Sequence, residues 1–280
     1  MLSELIITFR ETLEAALVIG IVLAYLERTK QSKYNSVIYL AIVSAVVGSI
    51  IAAYGFNTLA GGFSGRSEEI FEGVVMLFAA LLLTTMILWM MRQTHIREEI
   101  EQKVGHEISE GHRLGLFALV FVSVLREGVE TVIFLGASSL AGEATAYDRI
   151  VGGFLGIILA LALGFIIFVQ ARKLDVRKFF QATSIVLVLF AAGLVAHGVH
   201  ELQEAGVLPT YIEHLWDVNP PQNPDGSYPL LHENGLIGGL AKDLLGYNGN
   251  PSLLEAASYA LYLLFVALAY RNIDRIHKVI

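Results

Sequence analysis

Apolar residues in this chain come in long unbroken stretches, not in the short alternating patches of a water-soluble fold. Seven stretches are long enough for a helix to cross a hydrocarbon layer, which takes about 20 residues. They are 4–26, 37–59, 70–91, 114–140, 150–171, 181–203 and 252–270. The pattern predicts an all-α integral membrane protein with seven transmembrane helices. The polar connection 92–113 is expected to form a short helix and turn. The connection 204–251 holds all six prolines of the chain. It is expected to be irregular, with a short surface helix near 234–245.

Two of the stretches break the apolar pattern in the same way. Phe9 to Gly20 reads FRETLEAALVIG and Leu125 to Gly136 reads LREGVETVIFLG, 116 positions further on. Both follow Arg-Glu-x-x-Glu-x5-Gly. Positions i, i+3 and i+4 share a helical face. Arg10, Glu11 and Glu14 therefore form one charged stripe, and Arg126, Glu127 and Glu130 form a second. The stripes lie on the first and fourth spans, which cross in opposite directions. A weaker echo pairs LFAALLL at 77–83 with LFAAGLV at 189–195, offset by 112. Three spans followed by three oppositely oriented spans make an inverted repeat, with one C-terminal helix added. Such carriers place their ion site near mid-membrane at the repeat interface. The expected organisation is a single membrane domain over 1–280. Repeat one covers about 1–92, a cytoplasmic loop 93–113, repeat two about 114–203, an external loop 204–251, and the seventh helix 252–270.

Composition agrees with the bilayer. Charged residues make up 16% of the chain and the mean hydropathy is +0.62, whereas a soluble domain carries about 25% charged residues. The connections 27–36, 92–113 and 172–180 and the tail after Tyr270 hold 14 Lys and Arg, against 3 in the opposite set. The positive-inside rule then puts the N-terminus outside and the C-terminus in the cytoplasm. The first apolar stretch lacks a basic leader and a small-residue cleavage site, so it reads as a retained helix and not a signal peptide. A net charge of −7 argues against nucleic acid. With no cysteine there are no disulfides and no thiolate metal sites.

Six ionisable groups inside membrane helices would cost roughly 18 kcal/mol if all faced lipid, at about 3 kcal/mol each. They must face inward and pair. Arg10 is near enough to its helix start to reach outward, but the repeated motif favours a shared internal site. Two Arg against four Glu leave an excess of negative charge, which suits a cation. Carboxylates prefer hard cations and the motif holds no His, Cys or Met, which disfavours copper and makes nickel and zinc less natural. Ferric and ferrous iron, manganese, magnesium and calcium stay open on ligand chemistry. An intramembrane di-iron carboxylate enzyme is a different reading, but such bundles add Glu-x-x-His pairs, which neither motif has.

The paired Arg-Glu-x-x-Glu helices, the seven spans and the outside N-terminus resemble the oxidase-dependent high-affinity iron permeases of fungi and bacteria. The family pattern is Arg-Glu-Gly-Leu-Glu in both helices. Here the second copy reads REGVE and the first RETLE, with Thr12 where Gly is usual. The resemblance implies a permease, not an enzyme, in the cell membrane. Iron is its substrate and no cofactor is tightly bound. Glu11, Glu14, Glu127 and Glu130 would be the iron ligands, with Arg10 and Arg126 as counter-charges. It also implies an extracytoplasmic ferrous oxidase or iron-delivery protein as partner, and a homo-oligomer is compatible with it. Manganese or another hard divalent cation is the alternative substrate.

Two further groups flank the expected path. At the outer end of the sixth span His197, His200 and Glu201 share a face, with Glu204 beyond them. Glu72, with Glu68 and Glu69, starts the third span on the same side. We expect Glu72, His197, His200 and Glu201 to form an outer collecting site. Glu213, His214, Asp217, Asp225, His232, Glu233 and Asp243 in the external loop read as a solvated surface that attracts cations. On the inner side Glu98, Glu101, Glu107 and Glu110, with His95, His106 and His112, read first as a solvated amphipathic loop and second as an exit.

Overall fold

The computed structural model describes residues 1–92, 96–141, 145–169 and 176–277. His95, the first part of the basic connection 172–180 and the last three residues of the tail lie outside the described residues. The helices are α1 (Leu2–Arg28), α2 (Asn35–Ala60), α3 (Arg66–Arg92), α4 (Ile96–Ser109), α5 (Arg113–Ala141), α6 (Ala146–Val169), α7 (Val176–Glu204), α8 (Leu236–Leu245) and α9 (Leu253–His277). No strand occurs among the described residues. In lipid every backbone N–H and C=O must be satisfied within the segment, and helices do this.

Among the described residues five helices are long and apolar enough to cross a membrane: α2, α3, α6, α7 and α9. Their outer faces carry large apolar side chains that a soluble protein would bury. Ile50, Ile51 and Tyr54 on α2, Phe154 and Phe165 on α6, and Leu261 and Phe265 on α9 are all exposed. An apolar surface of this extent marks contact with lipid. α1 and α5 are as long, at 27 and 29 residues. They differ in carrying an Arg and two Glu in their middle.

Buried positions hold many small residues, which let backbones approach. α1 lies along α6, α2 along α5 and α3 along α7; α1 also meets α5, and α9 packs on α7. Two apolar cores result. One joins α1, α3, α5 and α7 through Ile7, Met76, Leu83, Phe134, Leu187 and Leu194. The other joins α1, α2, α4 and α5 through Val22, Leu26, Ile38, Val104, Leu116 and Val120. The charged residues of α1 and α5 fall between Ile7 and Val22 on one helix, and between Val124 and Phe134 on the other. They are closed off by hydrocarbon at both ends.

A helix forms near 234–245 as expected, α8, and Leu236, Ile237, Leu240 and Leu245 along it are exposed. Its cap, Gly246, sits against Gly193 of α7, eleven residues before that helix ends; a Cβ added at Gly193 would fall 2.6 Å from the Gly246 Cα. Gly246 also has φ +66°, a conformation glycine adopts freely. Both glycines are needed for α8 to press its end into the bundle.

Candidate cation site

α1 and α5 bring their charged stripes face to face. One carboxylate oxygen each from Glu11, Glu14 and Glu127 lies within 4.8 Å of the others. Among the described residues this is the one group of three acidic or His side chains that converges so closely. Arg10 is fully buried, at 0% exposure. Its Nη1 is 3.0 Å from Glu11 Oε1 and its Nη2 is 3.0 Å from Glu14 Oε1. It therefore does not reach outward, as its place near the helix start would have allowed.

The fourth carboxylate stands slightly apart. Arg126 Nε donates to Glu130 Oε1 at 2.7 Å, and the Arg126 guanidinium lies 5.3 Å from the centre of the Trp89 ring on α3. The Arg126 side chain is 44% exposed. Glu11 Oε2, Glu127 Oε2 and Glu130 Oε2 are buried and have no hydrogen-bond partner among the described residues. Buried carboxylate oxygens crowded together repel one another unless a cation or a proton sits among them. The donor set is oxygen and anionic, held from two helices, which suits a hard cation.

α3 contributes side chains that the motif did not point to. Met86 Sδ lies 3.0 Å from Arg10 Nη1 and Met90 Sδ 2.6 Å from Arg10 Nη2. Met86, Trp89 and Met90 thus meet both arginines. Their spacing of three and four residues is visible in the sequence, but apolar residues at that spacing usually mark plain packing.

The outer group gathers along α7, next to the start of α3 and to α9. Glu72 and Glu201 interact where Gly73 of α3 crosses Gly198 of α7. His200 interacts with Glu201 too, and lies 3.3 Å from Glu204 and 3.6 Å from the buried Glu255 of α9. His197 Nδ1 donates to the Gly193 carbonyl at 3.0 Å, and its ring lines a small cavity with Ser138, Lys242 and Asp243. Glu255 and the buried Glu4, whose Oε1 accepts from Ser138 Oγ at 3.4 Å, were not singled out in the sequence. On the other side Glu101 pairs with Arg28 at 2.6 Å and Glu107 lies 3.9 Å from His112. In the connection before α9, Glu233 Oε2 accepts from Gly249 N and Asp225 Oδ1 from Ser227 N, so both carboxylates help shape the loop.

Long apolar helices folded around a buried acidic cluster define a multi-pass membrane protein. The chain belongs to the iron permease FTR1 family, whose family model matches residues 1–276. The family is one of permeases and not of enzymes. The chain is 30% identical to the ferrous iron permease EfeU of Escherichia coli O157:H7 over 273 residues, which cover 96% of this chain and 95% of that one. It is 29% identical to the ferrous iron permease EfeU of Yersinia pestis over 267 residues, 94% and 91% of the two chains. No solved structure matches the chain.

Proposed function

We propose that this protein carries iron across the cytoplasmic membrane into the cell through a site built from Glu11, Glu14, Glu127 and Glu130, with Arg10 and Arg126 as counter-charges. The convergence of Glu11, Glu14 and Glu127 from two helices carries the reading. The relatives' name, ferrous iron permease, agrees with it.

The proposed carrier has seven spans, α1, α2, α3, α5, α6, α7 and α9, and an inverted repeat of three plus three. The packing supports the repeat. Exchanging α1 with α5, α2 with α6 and α3 with α7 turns the α1–α6 contact into α5–α2 and leaves α1–α5 and α3–α7 as they are. The Lys and Arg distribution supports an outside N-terminus and a cytoplasmic C-terminus. Glu72 and Glu201, with His197 and His200 nearby, would gather the ion on the outer side. A ferrous oxidase or iron-delivery protein outside would present it. The two halves then rock so that the site opens inward.

Iron uptake into proteoliposomes tests the reading, with ferrous and ferric ion offered separately. Glu11→Ala and Glu127→Ala should each abolish uptake while the protein still reaches the membrane. Normal uptake by either variant would contradict the site. Competition by manganese at equal concentration would widen the substrate to hard divalent cations.

A further inference from the structure

Arg10 has partners of two kinds. Glu11 and Glu14 hold its terminal nitrogens, and Met86 and Met90 of α3 meet the same nitrogens. Each terminal nitrogen thus bridges one carboxylate and one thioether. The two methionines are one turn apart on α3 and share a face. Methionine often fills irregular gaps in a core. Gap-filling alone does not account for a sulfur on each terminal nitrogen of a fully buried cation. A guanidinium has five N–H donors and no acceptor, and a thioether is a weak neutral acceptor. Arg10 Nε has no hydrogen-bond partner among the described residues, so the guanidinium is held incompletely where it stands.

We propose that Met86 and Met90 form a receiving seat for Arg10, which sets how strongly this guanidinium competes with the transported cation. The proposal rests on the carboxylate site described above. A cation bound by Glu11 and Glu14 takes from Arg10 both of its anionic partners and repels it. The guanidinium is buried between two hydrocarbon cores and cannot reach water. The thioethers already touch the same two terminal nitrogens and accept their N–H groups without adding charge. A carboxylate in their place would trap Arg10, and hydrocarbon would leave its donors bare. Sulfur holds it between these extremes, so Arg10 can yield the carboxylates to the ion and return when the ion leaves. Met86 and Met90 are in this sense positioning residues.

The test is radio-iron uptake into proteoliposomes carrying the double variant Met86→Leu with Met90→Leu, with KM and Vmax measured separately. Leu nearly conserves the volume of Met, so packing is largely kept. Without the sulfurs Arg10 clings to Glu11 and Glu14, and KM for iron should rise about fivefold, the size expected for losing weak hydrogen bonds. Vmax should change much less. Returning an acceptor with Met90→Gln, while Met86→Leu is kept, should bring KM most of the way back. If the double variant is poorly made, Met90→Leu alone should shift KM in the same direction by a smaller factor. A KM within twofold of the wild type overturns the proposal, as does a rise that Met90→Gln fails to reverse. Glu11→Ala, run in parallel, separates the two readings. A dead Glu11 variant with an unchanged KM in the double Leu variant sinks only the seat, whereas an active Glu11 variant sinks the site itself.

Discussion

The two copies of Arg-Glu-x-x-Glu have nearly the same sequence and different surroundings. In α1 the arginine is sealed, with two carboxylates and two sulfurs around it. In α5 the arginine is nearly half exposed, with one carboxylate and the face of one indole. The backbones differ as well. Gly128 in α5 lies so close to Ser49 of α2 that a Cβ there would collide with the Ser49 side chain. Thr12 takes the equivalent place in α1. There the partner helix supplies the small residues: Gly156 sits against Thr8 and Gly164 against Ala16. The same register sets Thr12 opposite the fully buried Ala160. Bulk has moved from one helix to the other, which explains how RETLE is accommodated. The repeated motif thus fixes which groups face each other, and the neighbouring helices decide how firmly each is held.

The largest expected effect comes from breaking the sealed copy. Arg10→Ala leaves Glu11 and Glu14 buried without their cation, and stability should fall by about 3–5 kcal/mol. Arg126→Ala removes one ion pair from a less enclosed side chain, and the loss should be smaller. Thermal unfolding of both variants in detergent, followed by monodispersity, measures the difference. Equal losses would mean that the two arginines are held alike.

A second, smaller effect sharpens the backbone contrast. Gly128→Ala should cost about 1–3 kcal/mol through overpacking against Ser49. Ser49→Gly in the same chain should recover most of it, since the two atoms the new Cβ would strike, Oγ and Cβ, belong to that side chain. Thr12→Ala should cost less than Gly128→Ala, because the opposing position is already small. If Ser49→Gly brings no recovery, the close approach at Gly128 is not what limits the second copy.

These contrasts separate what the sequence carries from what it leaves out. The helices were legible because apolar run length is a local property: 37–59 became Asn35–Ala60 and 114–140 became Arg113–Ala141. The facing acids were legible because a charge inside an apolar helix is expensive and occurs here twice at one spacing. The sulfur contacts were not, since a methionine in an apolar helix reads as packing until its neighbour is known. The burial of Arg10 depends likewise on α3, more than seventy residues away. The docking of the α8 end depends on Gly193 and Gly246 meeting across a long connection, and neither glycine is unusual in its own segment. The contact of His200 with Glu255 depends likewise on where α9 packs.

The smallest effect concerns the open copy alone. The Trp89 face beneath Arg126 offers a cation–π contact worth about 0.5–1 kcal/mol at an exposed site. Trp89→Leu should therefore lower stability only slightly, and Trp89→Phe less still, because the smaller ring keeps part of the attraction. The loss from Leu includes packing, so the single variant does not isolate the contact. A double-mutant cycle with Arg126→Ala does, by subtracting the cost of each change made alone. A coupling near the cation–π value would mean that the indole helps to hold Arg126 beside Glu130. With zero coupling, Trp89 would be only a neighbour, and the open copy would hold its arginine through Glu130 alone. The two copies would then differ even more than their surroundings suggest.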